Sequence, residues 1–167
     1  MAGRRTSLFV ENGTLSTGSV LLGFQTAAAA AAAAICELTR VEITQSGTTT
    51  LAQIRGEFST RDTAGTLTMT SVAPKNTSPL GGPASGLSGN TNSLGGTARS
   101  GTISTADSGG TYTQVRPFNF SNLNGYIWKP DSDEEIIVPA STVFIVRFLA
   151  APATLTGWTI CLDMKEL

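Results

Sequence analysis

Ser141-Thr142-Val143-Phe144-Ile145-Val146-Arg147-Phe148-Leu149 is the stretch that decides the fold class of this chain. At the period of two that a strand imposes, Val143, Ile145, Arg147 and Leu149 fall on one face, and Phe144, Val146 and Phe148 on the other. A strand apolar on both faces lies between two layers, or has its second face covered by another chain. Arg147 interrupts the apolar run, and a charge in such a strand needs a partner. Two readings stand: an ion pair within the chain or a long side chain reaching solvent, against a salt bridge across a subunit boundary. Glu42, Glu57 and Asp163 are the candidate partners across such a boundary.

The same period recurs on both sides. Downstream, Trp158, Ile160, Leu162 and Met164 alternate with Thr159, Cys161 and Asp163. Upstream, Thr39, Val41 and Ile43 alternate with Arg40, Glu42 and Thr44, and Ala52, Ile54, Gly56 and Phe58 alternate with Gln53, Arg55 and Glu57. Leu67 and Met69 continue the pattern, and Val115–Phe120, Gly125–Pro130 and Glu135–Val138 supply further strand segments. Together they predict an all-β chain of about eight strands at the spacing of a sandwich or barrel.

Two regions break the pattern. Residues 1–34 are predicted to form an N-terminal arm and an alanine-rich lead-in, with the β-sandwich domain covering 35–167. Within the arm, Phe9, Leu21, Leu22 and Phe24 are candidate contacts with a neighbouring subunit; the alternative is a first strand of the same domain. The Ala27–Ala34 run is ambiguous: alanine favours helix and Thr26 is placed to cap one, yet a helix this short needs packing to persist. Residues 74–110 are rich in Gly, Ser and Pro, which predicts a long loop without regular elements. Its sizeable apolar residues, Leu80, Leu87 and Leu94 among them, are candidate interface contacts.

Length and composition narrow the function. A chain of 167 residues is one domain with room for a core. Only 14% of it is charged, against roughly 25% in an average domain. Thr, Ser, Gly and Ala take up the difference, leaving a neutral, hydroxyl-rich surface with little charge repulsion against association. The net charge of −1 has no basic stripe to neutralise phosphates, so no nucleic-acid partner is expected. Histidine is absent, which removes the commonest general base and metal ligand. There is no phosphate loop, dinucleotide fingerprint or nucleophile elbow. Neither an enzyme nor a cofactor is expected.

Smaller signals weigh the same way. In Asp131-Ser132-Asp133-Glu134-Glu135 the carboxylates alternate as at the start of a calcium loop. Ile136 and Thr142 stand where that loop needs its glycine and its bidentate acid, so a solvated turn and no metal are expected. Cys36 and Cys161 lack zinc-site spacing and suit two buried thiols. Asn12, Asn76 and Asn119 begin formal glycosylation sequons, unremarkable in a chain rich in Ser and Thr. Residues 20–36 are too weakly apolar for a membrane span, and Ile35 stands where a lipoprotein signal needs a small residue. Synthesis in the cytoplasm and no membrane partner are expected.

The order of segments resembles the jelly-roll cement, or head-decoration, proteins of tailed bacteriophages. The resemblance runs from about residue 35 to the end. It rests on Glu37-Leu38-Thr39-Arg40-Val41-Glu42-Ile43-Thr44, on the long loop, and most on the closing block. That block reads Gly125-Tyr126-Ile127-Trp128-Lys129-Pro130, then Ile136-Ile137-Val138-Pro139, then Val146-Arg147-Phe148-Leu149-Ala150-Ala151-Pro152 and a terminal strand. The resemblance implies a jelly-roll β-sandwich, a homotrimer, and a virion structural protein clamping major capsid protein subunits on the outer capsid surface. In a jelly roll the first and last core strands are neighbours, which would bring Cys36 near Cys161. The alternative function is a receptor- or glycan-binding head of a tail fibre, with a pocket lined by Tyr112, Tyr126 or Trp128.

Overall fold

The structure, a computed structural model, describes residues 4–15, 20–26, 35–61, 75–76, 97–100, 111–131, 133–140 and 142–166. These are all-β. The strands are β1 (Arg4–Gly13), β2 (Val20–Gln25), β3 (Cys36–Gln45), β4 (Gln53–Arg61), β5 (Lys75–Asn76) and β6 (Thr97–Ser100). They continue with β7 (Thr113–Ser121), β8 (Tyr126–Trp128), β9 (Ile136–Val138), β10 (Val143–Phe148) and β11 (Trp158–Glu166). A six-stranded sheet runs β5-β1-β11-β3-β8, with β9 also beside β3, and a five-stranded sheet runs β6-β2-β10-β4-β7. Every pairing is antiparallel. The chain crosses between the sheets repeatedly, so long-range strand pairing dominates.

The sheets pack face to face through apolar side chains selected by the two-residue period. Phe144, Val146 and Phe148 of β10 face inward, as do Leu22 and Phe24, Phe58, Phe118 and Phe120 from the same sheet. Opposite them stand Leu8, Leu38, Val41, Ile43, Trp128, Trp158, Ile160, Leu162 and Met164. Phe58 is the central ring, 5.2 Å from Phe118, 5.3 Å from Trp128 and 6.1 Å from Phe144. In β3 the strict alternation fails: Leu38 and Val41, three apart, are both fully buried. A register shift opposite Asp163 and Met164 leaves Thr39 as an extra residue and turns both neighbours inward.

The N-terminal expectation is corrected. Residues 4–13 and 20–25 are not an arm but inner strands, β1 between β5 and β11 and β2 between β6 and β10. The buried Thr26 hydroxyl donates to the Pro139 carbonyl at 2.6 Å and accepts from the Thr142 amide at 2.9 Å. Ala27–Ala34 and the Leu67–Met69 segment lie outside the described residues. So does most of 74–110, within which Lys75–Asn76 and Thr97–Ser100 form short strands on β1 and β2. Two- and four-residue edge strands need no sequence period, which is why Gly and Pro content misjudged them. The opposite margin of the five-stranded sheet is β7, whose Pro117 is paired with Glu57.

Gly56 lets Phe118 reach the centre. A Cβ there would lie 2.3 Å from the Phe118 ring and 2.8 Å from the Arg147 carbonyl oxygen. Gly56→Ala is expected to lower stability by about 2 kcal/mol through overpacking, read as a lower urea midpoint with an unchanged slope.

Candidate docking surfaces

The interface residues expected from sequence separate into three groups. Leu21, Leu22 and Phe24 belong to the chain's own core and present no surface to a neighbour. The signal that marked them, an apolar run near the terminus, was that of core strands. Phe9 is exposed, on the outer face of the six-stranded sheet. Leu80, Leu87 and Leu94 lie outside the described residues.

Arg147 is satisfied within the chain. It lies directly across from Glu57 on the outer face of the five-stranded sheet, with Nε 2.6 Å and Nη2 2.5 Å from Glu57 Oε1. The Ser59 hydroxyl donates to the same oxygen at 2.8 Å and the Gln114 amide to Oε2 at 2.6 Å. The Tyr112 ring lies 5.0 Å from the Arg147 guanidinium and 5.2 Å from that of Arg61. Val143 and Ile145 on this face are fully buried, so both faces of β10 are covered within a single chain. Burial alone raises the Glu57 carboxyl, but the Ser59 hydroxyl, Arg147 and Gln114 outweigh it and hold it below its ordinary value.

A buried carboxylate with its cation removed is destabilising, whereas replacing both is close to neutral. Arg147→Met is expected to lower stability by about 2 kcal/mol, less than for a fully buried pair because Arg147 is partly solvated. Adding Glu57→Gln is expected to restore at least half, in a double-mutant cycle by urea denaturation. The folded Glu57 value lies below the unfolded one. Its contribution is therefore present above pH 4.5 and lost as pH falls through the depressed folded value. Glu57→Gln removes that acid-dependent part.

The outer face of the six-stranded sheet is organised in transverse rows. One runs Phe9, Cys161, Glu42, Ile127; the next Ser7, Asp163, Arg40; the third Arg5, Lys165, Glu37, Ile137. Apart from Arg5, the charges pair with each other: Arg40 with Glu42, Arg40 Nη1 with Asp163 Oδ2 at 3.8 Å, and Lys165 Nζ with Glu37 Oε2 at 3.3 Å. The Ser7 hydroxyl donates to Asp163. Phe9, Ile127 and Ile137 stand exposed at the margins.

The two cysteines are not neighbours. β3 and β11 are adjacent, but Cys36 points into the core beside Glu166, whereas Cys161 is on the outer face beside Glu42. Neither forms a disulfide. Burial, reinforced by the Asp163 carboxylate, pushes the Cys161 thiol up to about 12. Since the thiolate is the reactive species, native protein at pH 8 is expected to react with a disulfide reagent at least about 100-fold more slowly than urea-unfolded chain. Equal rates would contradict this.

The rings named for a glycan pocket are packed. Tyr126 stacks on Phe118 at 4.6 Å, Trp128 meets Phe58 edge-on, and Tyr112 meets the guanidiniums of Arg61 and Arg147. The acidic segment forms a turn, with the Glu134 amide on the Asp131 carbonyl at 2.9 Å and Glu134 paired with Arg116 at 2.8 Å. Among the described residues, no three His, Cys, Asp or Glu side chains are grouped to hold a metal ion.

Sequence reading overlooked one end of the sandwich, where the connections 46–52, 122–125 and 149–157 gather. The Asn122 side chain joins them: Oδ1 accepts from the Ala52 amide at 2.8 Å, and Nδ2 donates to Gln45 Oε1 and the Thr50 carbonyl, each at 3.0 Å. Gln45 Nε2 donates onward to the Thr154 and Thr156 carbonyls. Gly47, Gly125 and Gly157 all adopt positive φ here, and a Cβ on Gly157 would strike the Ser46 carbonyl oxygen at 2.1 Å. On this frame Leu51, Leu123 and Leu149 are 63%, 49% and 47% exposed. A groove of about 360 Å3 runs between Ala52–Arg55 and Leu149–Ala153. The sequence signal is the lack of any Asp, Glu, Lys or Arg in all three connections.

No protein-family model matches the sequence, and no curated protein or solved structure matches the chain.

Proposed function

We propose that this chain is a non-enzymatic capsid decoration protein, bound across major capsid protein subunits on the outer surface of a bacteriophage head and acting as cement for the particle. The observation that carries the reading is the strand order. With the short strands β5, β6 and β9 set aside, one sheet runs β1-β11-β3-β8 and the other β2-β10-β4-β7. Successive crossings nest the last strands between the first and the middle ones, which supports a jelly roll built from two Greek keys. The resemblance in the closing block implies that architecture. The sparse charge of the chain supports the same reading, because it leaves little repulsion between copies crowded on a shell.

The mechanism is mechanical. Many identical modest contacts, each shared between neighbouring subunits, resist separation of the shell through avidity rather than through one tight site. A rigid antiparallel sandwich suits this task, since it transmits load without rearranging. Self-association as a homotrimer belongs to the same reading, closed symmetry serving to cover strand margins.

Particles carrying this protein are expected to withstand higher temperature and lower salt before releasing their nucleic acid than particles from which its gene is deleted. Adding back purified protein is expected to restore resistance, with density added at subunit junctions by electron microscopy. Equal resistance with and without the protein, together with its absence from purified particles, would refute the proposal.

A further inference from the structure

We infer that the charge-free loop end is the face that seats on the partner, and that the partner offers an uncharged apolar patch with a carboxylate at its margin. This rests on the decoration reading and specifies which surface performs it.

Three adjacent strands of the five-stranded sheet, β10, β4 and β7, each place an exposed leucine at this end: Leu149, Leu51 and Leu123. Loops in water ordinarily carry charge. These three connections carry none, although the chain has 11 basic and 12 acidic residues elsewhere. Removing such a surface from water strips apolar area and hydroxyls but leaves no unpaired ion behind. The frame is also fixed beforehand by the Asn122 and Gln45 amides and the left-handed glycines, so little ordering remains to oppose association. By contrast, the outer face of the six-stranded sheet presents charges that, Arg5 apart, are paired to one another, with Phe9 and Ile127 at opposite margins.

Arg55 identifies the partner's chemistry. It is exposed at the wall of the groove and forms no ion pair among the described residues. A second copy docked end to end would meet it with connections that contain no carboxylate, leaving both arginines unanswered. A different protein, apolar at its centre and acidic at its edge, answers both features. One exposed ion pair adds little and is screened by salt, so attachment is dominated by apolar burial.

The test is binding of purified chain to purified coat-protein shells lacking it, measured by co-sedimentation. Wild-type affinity is expected to change less than about fivefold between about 50 and about 500 mM salt. The double substitution Leu51→Glu, Leu123→Glu is expected to weaken binding at least about 100-fold. Arg55→Glu is expected to weaken it about 5- to 10-fold at low salt. Ile127→Glu, on the six-stranded sheet, is expected to bind as wild type. All four positions are exposed, and unchanged urea midpoints establish that the variants fold. Loss of binding in Ile127→Glu with retention in the double variant would overturn the inference while leaving the decoration reading in place. Wild-type chain that binds no shell would remove that reading and the inference with it. A self-association abolished by the double variant, seen in sedimentation, would assign the end to a second copy and overturn the partner named here.

Discussion

Phe58 is where the two sheets meet, and the sandwich depends on that meeting. Its ring touches Phe118 and Phe144 in its own sheet and Tyr126 and Trp128 in the other. Edge-on and tilted aromatic contacts of this kind add to simple area burial. They also fix how far apart and how rotated the layers stand. Phe148 and Phe120 repeat the arrangement against Trp158 toward the loop end, so an aromatic row runs through the interior. Gly56 belongs to the same constraint, because the space that its missing side chain leaves is the space Phe118 fills.

The charged cluster on the outer face is a consequence of layering. β10 is covered on both faces, so any polar side chain on it must find its partners locally. Arg147 finds Glu57 one strand away, Glu57 takes Ser59 and Gln114 as well, and the pair is closed without a second subunit. Exposed elsewhere, the same pair would contribute little. Here its weight comes from what either member would lose without the other.

How much of this was legible in the sequence depended on alternation. β11, the first half of β4 and β3 from Val41 onward carry a clear period of two, and their apolar sides are the sides the core receives; β10 is apolar on both faces and is covered on both. β2 lacks that period: Leu21 and Leu22 are consecutive and both buried, and its pairing with β10 shifts register between Val146 and Arg147. A strand with that irregularity reads as an arm. Arg147 was legible as a residue in need of a partner, with Glu57 among three candidates across a subunit boundary, but pairing register within the chain decided which carboxylate it met. The loop end was not legible at all, since its organiser, Asn122, bonds to residues 70, 72 and 77 positions away. Local pattern carries no trace of such bonds. Only the missing charge hinted at the end's character, and that hint lies scattered over three separate connections.

Pro117 sits within β7, the long outermost strand of the five-stranded sheet. Proline has no amide hydrogen, and in sheets it keeps its nitrogen side turned to solvent. A foreign strand laid along that margin therefore finds a rung missing near its middle. For a chain so poor in charge, sister molecules at high concentration are an aggregation hazard, and electrostatic repulsion does little to keep them apart. Among the described residues, a single imino acid interrupts the longest sheet margin that open-ended fibre growth would use.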